Sequence, residues 1–226
     1  MRRCVTPPGR RGGTAGELGA LVHGFDGTRF SLRPDADGDL WDPAWPVCLV
    51  DWYGADAFGT WEAERTGQPW QLPGELAWEK AARGVDGRFH PWGDGCDPSW
   101  ASMRASQRGR IGPTAVGAFP VDESPYGIRD LAGSMQDWCR ERFFEHGPPI
   151  ASARNDGLWR GPLTPGTVLP STKPDGLESD SAASTRVVRG GSWSFSPSHT
   201  RVANRVWDAP SSRRSILGFR LARPYA

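Results

Sequence analysis

A chain of 226 residues with a formal net charge of +1 is long enough for one large domain or two small ones, and it lacks the bulk charge that draws proteins to nucleic acid or anionic membranes. Its apolar fraction is only 37%, yet 12 Trp and 9 Phe supply large side chains to bury, which excludes a wholly disordered chain. With 29 Gly and 21 Pro, much of the backbone must be irregular.

No apolar run approaches the roughly 20 residues of a membrane helix, and no apolar segment follows Met1-Arg2-Arg3, so neither a membrane span nor a signal peptide is expected. Cys4, Cys48, Cys96 and Cys139 form no CxxC pair, which argues against a zinc ribbon or a disulfide framework and for a reducing, cytoplasmic setting.

In chain order, residues 1–14 read as a disordered arm rich in Pro, Gly and Arg. Residues 15–44 form a divergent or truncated N-terminal part, in which the weak apolar patch Leu18 to Phe30 can hold a hairpin around Asp26-Gly27. Asp35 to Asp39 (DADGD) is a solvated turn whose spacing is wrong for an EF-hand. Pro46 to Val50 reads as a short buried strand. Asp51 can cap a helix that places Trp52, Ala55, Phe58 and Trp61 on one face and breaks at Gly67-Gln68-Pro69. A second short helix is expected from about Glu75 to Arg83, with Leu76, Trp78 and Ala82 apolar and Gly84 at its end. The aromatics of both helices sit at core-facing spacing and read as packing residues. Phe89 to Phe119 shows no periodicity, and 145–184 reads as a long surface excursion. Arg186 to Arg189 and Gly218 to Leu221 are two closing strands, and there is no internal repeat.

Five segments then fall in a telling order: WQLPGELAWEKAARG (70–84), PWGD (91–94), PYGIRDLAG (125–133) with Trp138, RGGSW (189–193) and GFR (218–220). This series, from about Trp45 to Pro224, resembles the sulfatase-modifying-factor family, whose best known member is formylglycine-generating enzyme. The resemblance implies an α+β fold of the formylglycine-generating-enzyme type, C-type-lectin-like and loop-rich, with small antiparallel sheets and two short helices over residues 45–226. The flavour is that of the domains at C-terminal ends of bacterial serine/threonine kinases, which makes an upstream kinase domain a possible partner. The chain itself has no HRD, no DFG and no Gly-rich phosphate loop. Family members usually open with a strand and an MG…PVTN-like segment, which residues 1–40 lack; a truncated chain would leave a sheet edge near the C-terminal strand unpaired.

The family's oxidase chemistry holds copper through two cysteines just after the GGSW-like motif. Here Phe195 and Thr200 stand at those positions, and neither can offer the soft thiolate that Cu(I) requires, so copper is not expected. The sulfoxide synthases of the superfamily use histidine-held iron, but His23, His90, His146 and His199 show no HxxxH or HxE arrangement. There is no GxSxG. A structural calcium is the one inorganic cofactor the resemblance implies: Asp130 and Asp137 would give side-chain oxygens, and Gly133 and Met135 backbone carbonyls. Asp137 stands where the family usually has Glu, one methylene longer.

From Arg186 to Ala226 there are eight Arg and one acid, Asp208. Two readings follow. Trp193, Phe195, His199, Arg201, Arg205 and Trp207 can line a groove for an acidic or aromatic small molecule or peptide. Alternatively, the arginines pair with Asp and Glu of earlier segments and tie the C-terminal strands down. No basic helix or reader motif points to nucleic acid. The expected function is a non-oxidase ligand-binding or regulatory module. The alternatives are a formylglycine-type oxidoreductase acting on a protein cysteine or related thiol, and a displayed hypervariable binding protein.

Overall fold

A computed structural model describes residues 23–34, 38, 40–107, 112–147 and 185–224. The arm expected at 1–14, most of the turn at 35–39 and most of the excursion at 145–184 lie outside the described residues. β1 (His23–Phe25) and β2 (Phe30–Leu32) pair as an antiparallel hairpin. Asp26 closes its turn, its carboxylate accepting from the backbone N–H groups of Thr28 and Arg29.

α1 (Trp52–Thr66) starts where Asp51 accepts from Gly54 N at 2.7 Å and stops at Gly67, whose left-handed φ of +65° no β-carbon opposes. Trp52 and Ala55 are buried as expected, but Trp61 is exposed because the inner face at that level is Gly59. α2 (Glu75–Arg83) buries Trp78 and Ala82. It exposes Leu76 and buries Glu75 instead, because Glu75 has a charged partner inside. Its N-terminus is capped from a distance: Glu141 accepts from Glu75 N at 2.8 Å.

Pro46 to Val50 is not a strand. Leu49 has a φ of +57°, and the segment spends its polar groups elsewhere: Leu49 N donates to Arg214 O, and Val50 O accepts the Trp138 indole N–H at 3.0 Å. β3 (Gln136–Arg142), β4 (Arg186–Arg189), β5 (Arg205–Asp208) and β6 (Leu217–Gly218) form one sheet in the order β5-β4-β3-β6. The β3–β4 and β4–β5 pairs are antiparallel and the β3–β6 pair is parallel, so the sheet is mixed and not purely antiparallel. The strand expected at 218–221 shrinks to Leu217–Gly218, followed by a bridge from Ala222 to Gln71.

The two faces of this sheet build two cores. Trp138, Val188 and Leu217 meet Trp52, Ala55 and Leu72 on one side. Cys139 and Val187 meet Trp78, Ala82, Leu131 and Val202 on the other. Between α2 and β4 lies Arg189, 0% exposed. Its guanidinium donates to Glu75 at 3.3 Å, to Glu79 at 2.5 Å and to the Val202 carbonyl at 3.0 Å. Arg205 completes the cluster on Glu75 at 2.5 and 3.1 Å. Breaking a buried pair strands its partner without water or counter-charge. Arg189→Met should therefore cost about 3–5 kcal/mol of unfolding free energy in a urea titration; a loss of under about 1 kcal/mol would show that Arg189 is not a linchpin.

Candidate functional site

The RGGSW segment turns the chain off β4. Gly191 lies so close to Ala132 that an added β-carbon would sit 2.3 Å from the Ala132 carbonyl oxygen. Gly191 N donates to Ala132 O and Trp193 N to Ser134 O, which locks this loop to the segment before β3. The loop then makes a 3-10 turn, Pro197–His199. Thr200 is buried, and its hydroxyl donates to Pro197 O at 2.8 Å. Phe195 is half-buried, with its ring 5.6 Å from that of His199. The two positions where the resemblance places copper ligands thus hold a hydroxyl already spent on a carbonyl and an aromatic ring. Against this turn packs His90, buried and stacked on Trp92 at 4.9 Å. Burial holds its pKa below the usual histidine range, against the pull of a hydrogen bond with the Thr200 backbone.

Of the six residues expected to line a groove, two border one cleft. Phe195 and Trp207 border a shallow cleft of about 200 Å³ with Val206, Asp208 and Arg214. Trp207 is 57% exposed, and Arg214 is ion-paired to Asp208. Trp193 is half-buried, with its indole N–H 3.4 Å from Ser215 O. His199 and Arg201 lie on the exposed turn, bonded to Ser196 and Ser198 O respectively. Arg205 is a correction: it does not line the cleft but reaches Glu75, the Phe144 carbonyl and the Phe143 ring at 4.8 Å, on the side of β5 to which the Trp207 ring also turns, 6.4 Å from Phe143. It is an anchor because the buried Glu75 carboxylate demands cations. The same pairing joins Arg213 to Asp51 and Arg220 to Asp137, so the reading of the arginines as structural ties holds for much of this tail. Asp208 and Arg214 were missed as cleft residues; the signal was that Asp208 is the one acid in an arginine-rich stretch.

The segment 130–137 carries the four residues expected to hold calcium. Asp122, fully buried, accepts from Ala132 N and Gly133 N at 3.2–3.3 Å, and its carbonyl accepts from Asp130 N. Asp130 and Ser134 take left-handed φ values of +58° and +65°. Asp130 Oδ2 accepts from Gly117 N at 2.7 Å. Asp137 Oδ2 accepts from the Trp78 indole at 2.9 Å and from Arg220 at 2.5 Å. Arg220 also donates to the Asp130 carbonyl at 2.8 Å. Asp130, Met135 and Asp137 line a cavity of about 310 Å³ that also has Trp45 and Phe219 in its wall. Burial, with Asp137 adding to it, raises the Asp130 pKa against the Gly117 N–H and Arg220. Gly133 packs on the Ser102 carbonyl. Calcium takes six to eight oxygens, whereas no three His, Cys, Asp or Glu among the described residues are grouped to hold a metal. Arg220 already supplies a cation to Asp137.

Cys48, Cys96 and Cys139 are free thiols, and burial pushes Cys48 up to about 12 and Cys139 well above the usual thiol value. Neither of these two is a ready nucleophile.

Burial also pushes Asp122 up to about 7 from an ordinary 3.8, against the backbone N–H groups of Ala132 and Gly133. Because the folded state holds this proton longer than the unfolded chain, the contribution of Asp122 to stability is fully present below about pH 4 and is lost as pH rises through about 7. The difference in urea stability between wild type and Asp122→Asn should therefore change across that window; parallel pH profiles would refute the assignment.

A family model described as sulfatase-modifying factor enzyme 1-like domain matches residues 29–225, starting earlier than Trp45. The chain is 32% identical over 200 residues to hercynine oxygenase of Mycolicibacterium smegmatis, covering 86% of this chain and 40% of that protein. It is 31% identical to serine/threonine-protein kinase pkn1 of Chlamydia caviae, covering 79% of this chain and 24% of the kinase. It is 30% identical to formylglycine-generating enzyme of Thermomonospora curvata, covering 80% of this chain and 56% of that enzyme. The chain thus spans well under two thirds of these relatives. Among solved structures, PvdO from Pseudomonas aeruginosa superposes with a TM-score of 0.61 at 22% identity, covering 81% of this chain and 64% of PvdO, which speaks to the fold.

Proposed function

The chain belongs to the sulfatase-modifying factor enzyme 1-like domain family, and from that premise we propose that it is a ligand-binding or regulatory member without the copper-dependent oxidation of a thiol. The observation that carries this reading is local. Phe195 cannot ligate Cu(I), and the Thr200 hydroxyl is buried and committed to Pro197 O. Next to them, the cleft lined by Phe195, Val188, Val206 and Ile216, with an Asp208–Arg214 pair at its rim, offers an apolar surface with one charge of each sign. That combination suits a peptide or small molecule with an apolar group and a polar end. The kinase relatives support a role beside a kinase domain in a longer protein. Three free thiols fit a reducing compartment, which we take to be the cytoplasm. No helix among the described residues is long and apolar enough to cross a membrane.

The oxidoreductase reading is favoured by the names of the hercynine oxygenase and formylglycine-generating relatives. It would need a redox centre that Phe195 and Thr200 do not provide. Calcium at Asp130, Gly133, Met135 and Asp137 is a further proposal. Two carboxylates facing one cavity support it, and the Arg220 guanidinium on Asp137 opposes it.

Thermal unfolding in EDTA, in Ca²⁺ and in Cu(I) under reducing conditions tests these readings, because a ligand that binds only the folded state raises Tm by mass action. The non-oxidase reading expects no Cu(I)-dependent rise and no conversion of a cysteine peptide to an aldehyde; either one would overturn it. A rise in Ca²⁺ over EDTA would support the calcium site, and its absence would remove it.

A further inference from the structure

We propose that the cleft at Phe195 selects an uncharged carboxamide on a small apolar body, and that Gln136 is the residue that reads the amide. The proposal rests on the reading of that cleft as a ligand site and names the polar end its ligand must carry. Gln136 stands two residues before Trp138 on β3, so its side chain emerges on the sheet face that carries Trp138, Val188 and Val206. There it lines the cleft of about 200 Å³. Its backbone N–H is spent on the Ile216 carbonyl at 2.9 Å. The residue is only 5% exposed, yet no group among the described residues is hydrogen-bonded to its side-chain amide.

Buried polar side chains are as a rule bonded within the protein, and an exception that opens on a cleft marks a place where a ligand's polar group fits. A glutamine amide has an oxygen that accepts and an NH₂ that donates. A carboxamide presents a coplanar carbonyl and N–H, so it meets both atoms at once. A carboxylate only accepts, an ammonium only donates and an ester has no donor. Each of these would displace water from one half of the Gln136 amide and leave that half unpaired.

The charges sort in the same direction. Of the side chains that line the cleft, Asp208 and Arg214 are charged, and they are ion-paired to each other. The Asp208 carboxylate also accepts from Ala209 N at 2.9 Å and from Ser212 Oγ at 2.6 Å. Neither sign is in excess, so a charged ligand finds no counter-charge in the wall. Val188, Val206, Ile216 and Phe195 supply the surface that removes a hydrocarbon group from water. The volume lies below the range of about 300–1,000 Å³ usual for drug-sized ligands, so the occupant is one small group with its amide.

The test titrates the full chain with phenylacetamide and, in parallel, with phenylacetate, phenethylamine and methyl phenylacetate, read by calorimetry and ligand-observed NMR. The amide should bind with a Kd at or below about 5 mM, and the other three at least about tenfold more weakly. Gln136→Leu should lose about tenfold in amide affinity and leave the ester unchanged, whereas Ile216→Trp, which fills the cleft, should abolish binding. Equal binding of all four probes, lost in Ile216→Trp, would overturn the carboxamide proposal while the cleft stands as a ligand site. Binding of none of them at about 50 mM would overturn both. An amide preference that survives Gln136→Leu would overturn the role of Gln136. If Gln136→Leu fails to fold, Ile216→Trp and the comparison of amide with ester decide the question alone.

Discussion

A positive charge buried where water cannot reach it is the constraint on which the rest of this structure depends. Arg189 is fully enclosed, and a guanidinium in that position is tolerable only if carboxylates and carbonyls surround it. Meeting that demand draws α2 onto β4 through Glu75 and Glu79, and the chain beyond the 3-10 turn onto both through Val202 O. Arg205 on Glu75 then sets β5 against the same helix. Once these elements are placed, the direction in which the loop 190–202 leaves the sheet is settled, and so is the position of the cleft at Phe195.

The same logic of polar anchors recurs where regular hydrogen bonding is scarce. Three buried indole N–H groups act as long-range ties: Trp52 to Cys139 O, Trp138 to Val50 O and Trp78 to Asp137. Each spans more than fifty positions of sequence and replaces ladder bonds that such short strands cannot supply. Asp122 does comparable work for the loop 130–133, taking backbone N–H groups that no strand partner meets. The cost is a carboxylate held in a dry site.

These anchors also divide the surface into two regions of different chemistry. The cleft at Phe195 is lined by apolar side chains and charge-balanced at its rim. The cavity at Asp130 mixes apolar side chains with two carboxylates and two guanidinium groups. The family is shared by proteins named as oxygenases, as formylglycine-generating enzymes and as kinases.

Local chemistry was readable from the sequence alone. Asp51 and Gly67 bracket α1 because a carboxylate that caps N–H groups and a residue free to turn left-handed act within one helical turn. The ordered motifs from Trp70 to Arg220 carried the family and the α+β fold, and Phe195 and Thr200 showed which ligands were missing. Tertiary structure alone decided the matters that rest on partners distant in sequence. QDWCRER has charged residues at four of its seven positions and so does not read as a strand, yet it is the strand β3, because β4 and β6 pair on its two sides and Trp78 and Arg220 satisfy Asp137. Pro46 to Val50 reads as a strand and is not one, because its polar groups go to a turn and an indole. Arg205 and Trp207, two positions apart on one face of β5, both pack toward Phe143, but only Arg205 reaches the buried Glu75. Helix caps act over three or four residues and can be read in order along the chain, whereas the placement of buried charge depends on contacts more than a hundred residues apart.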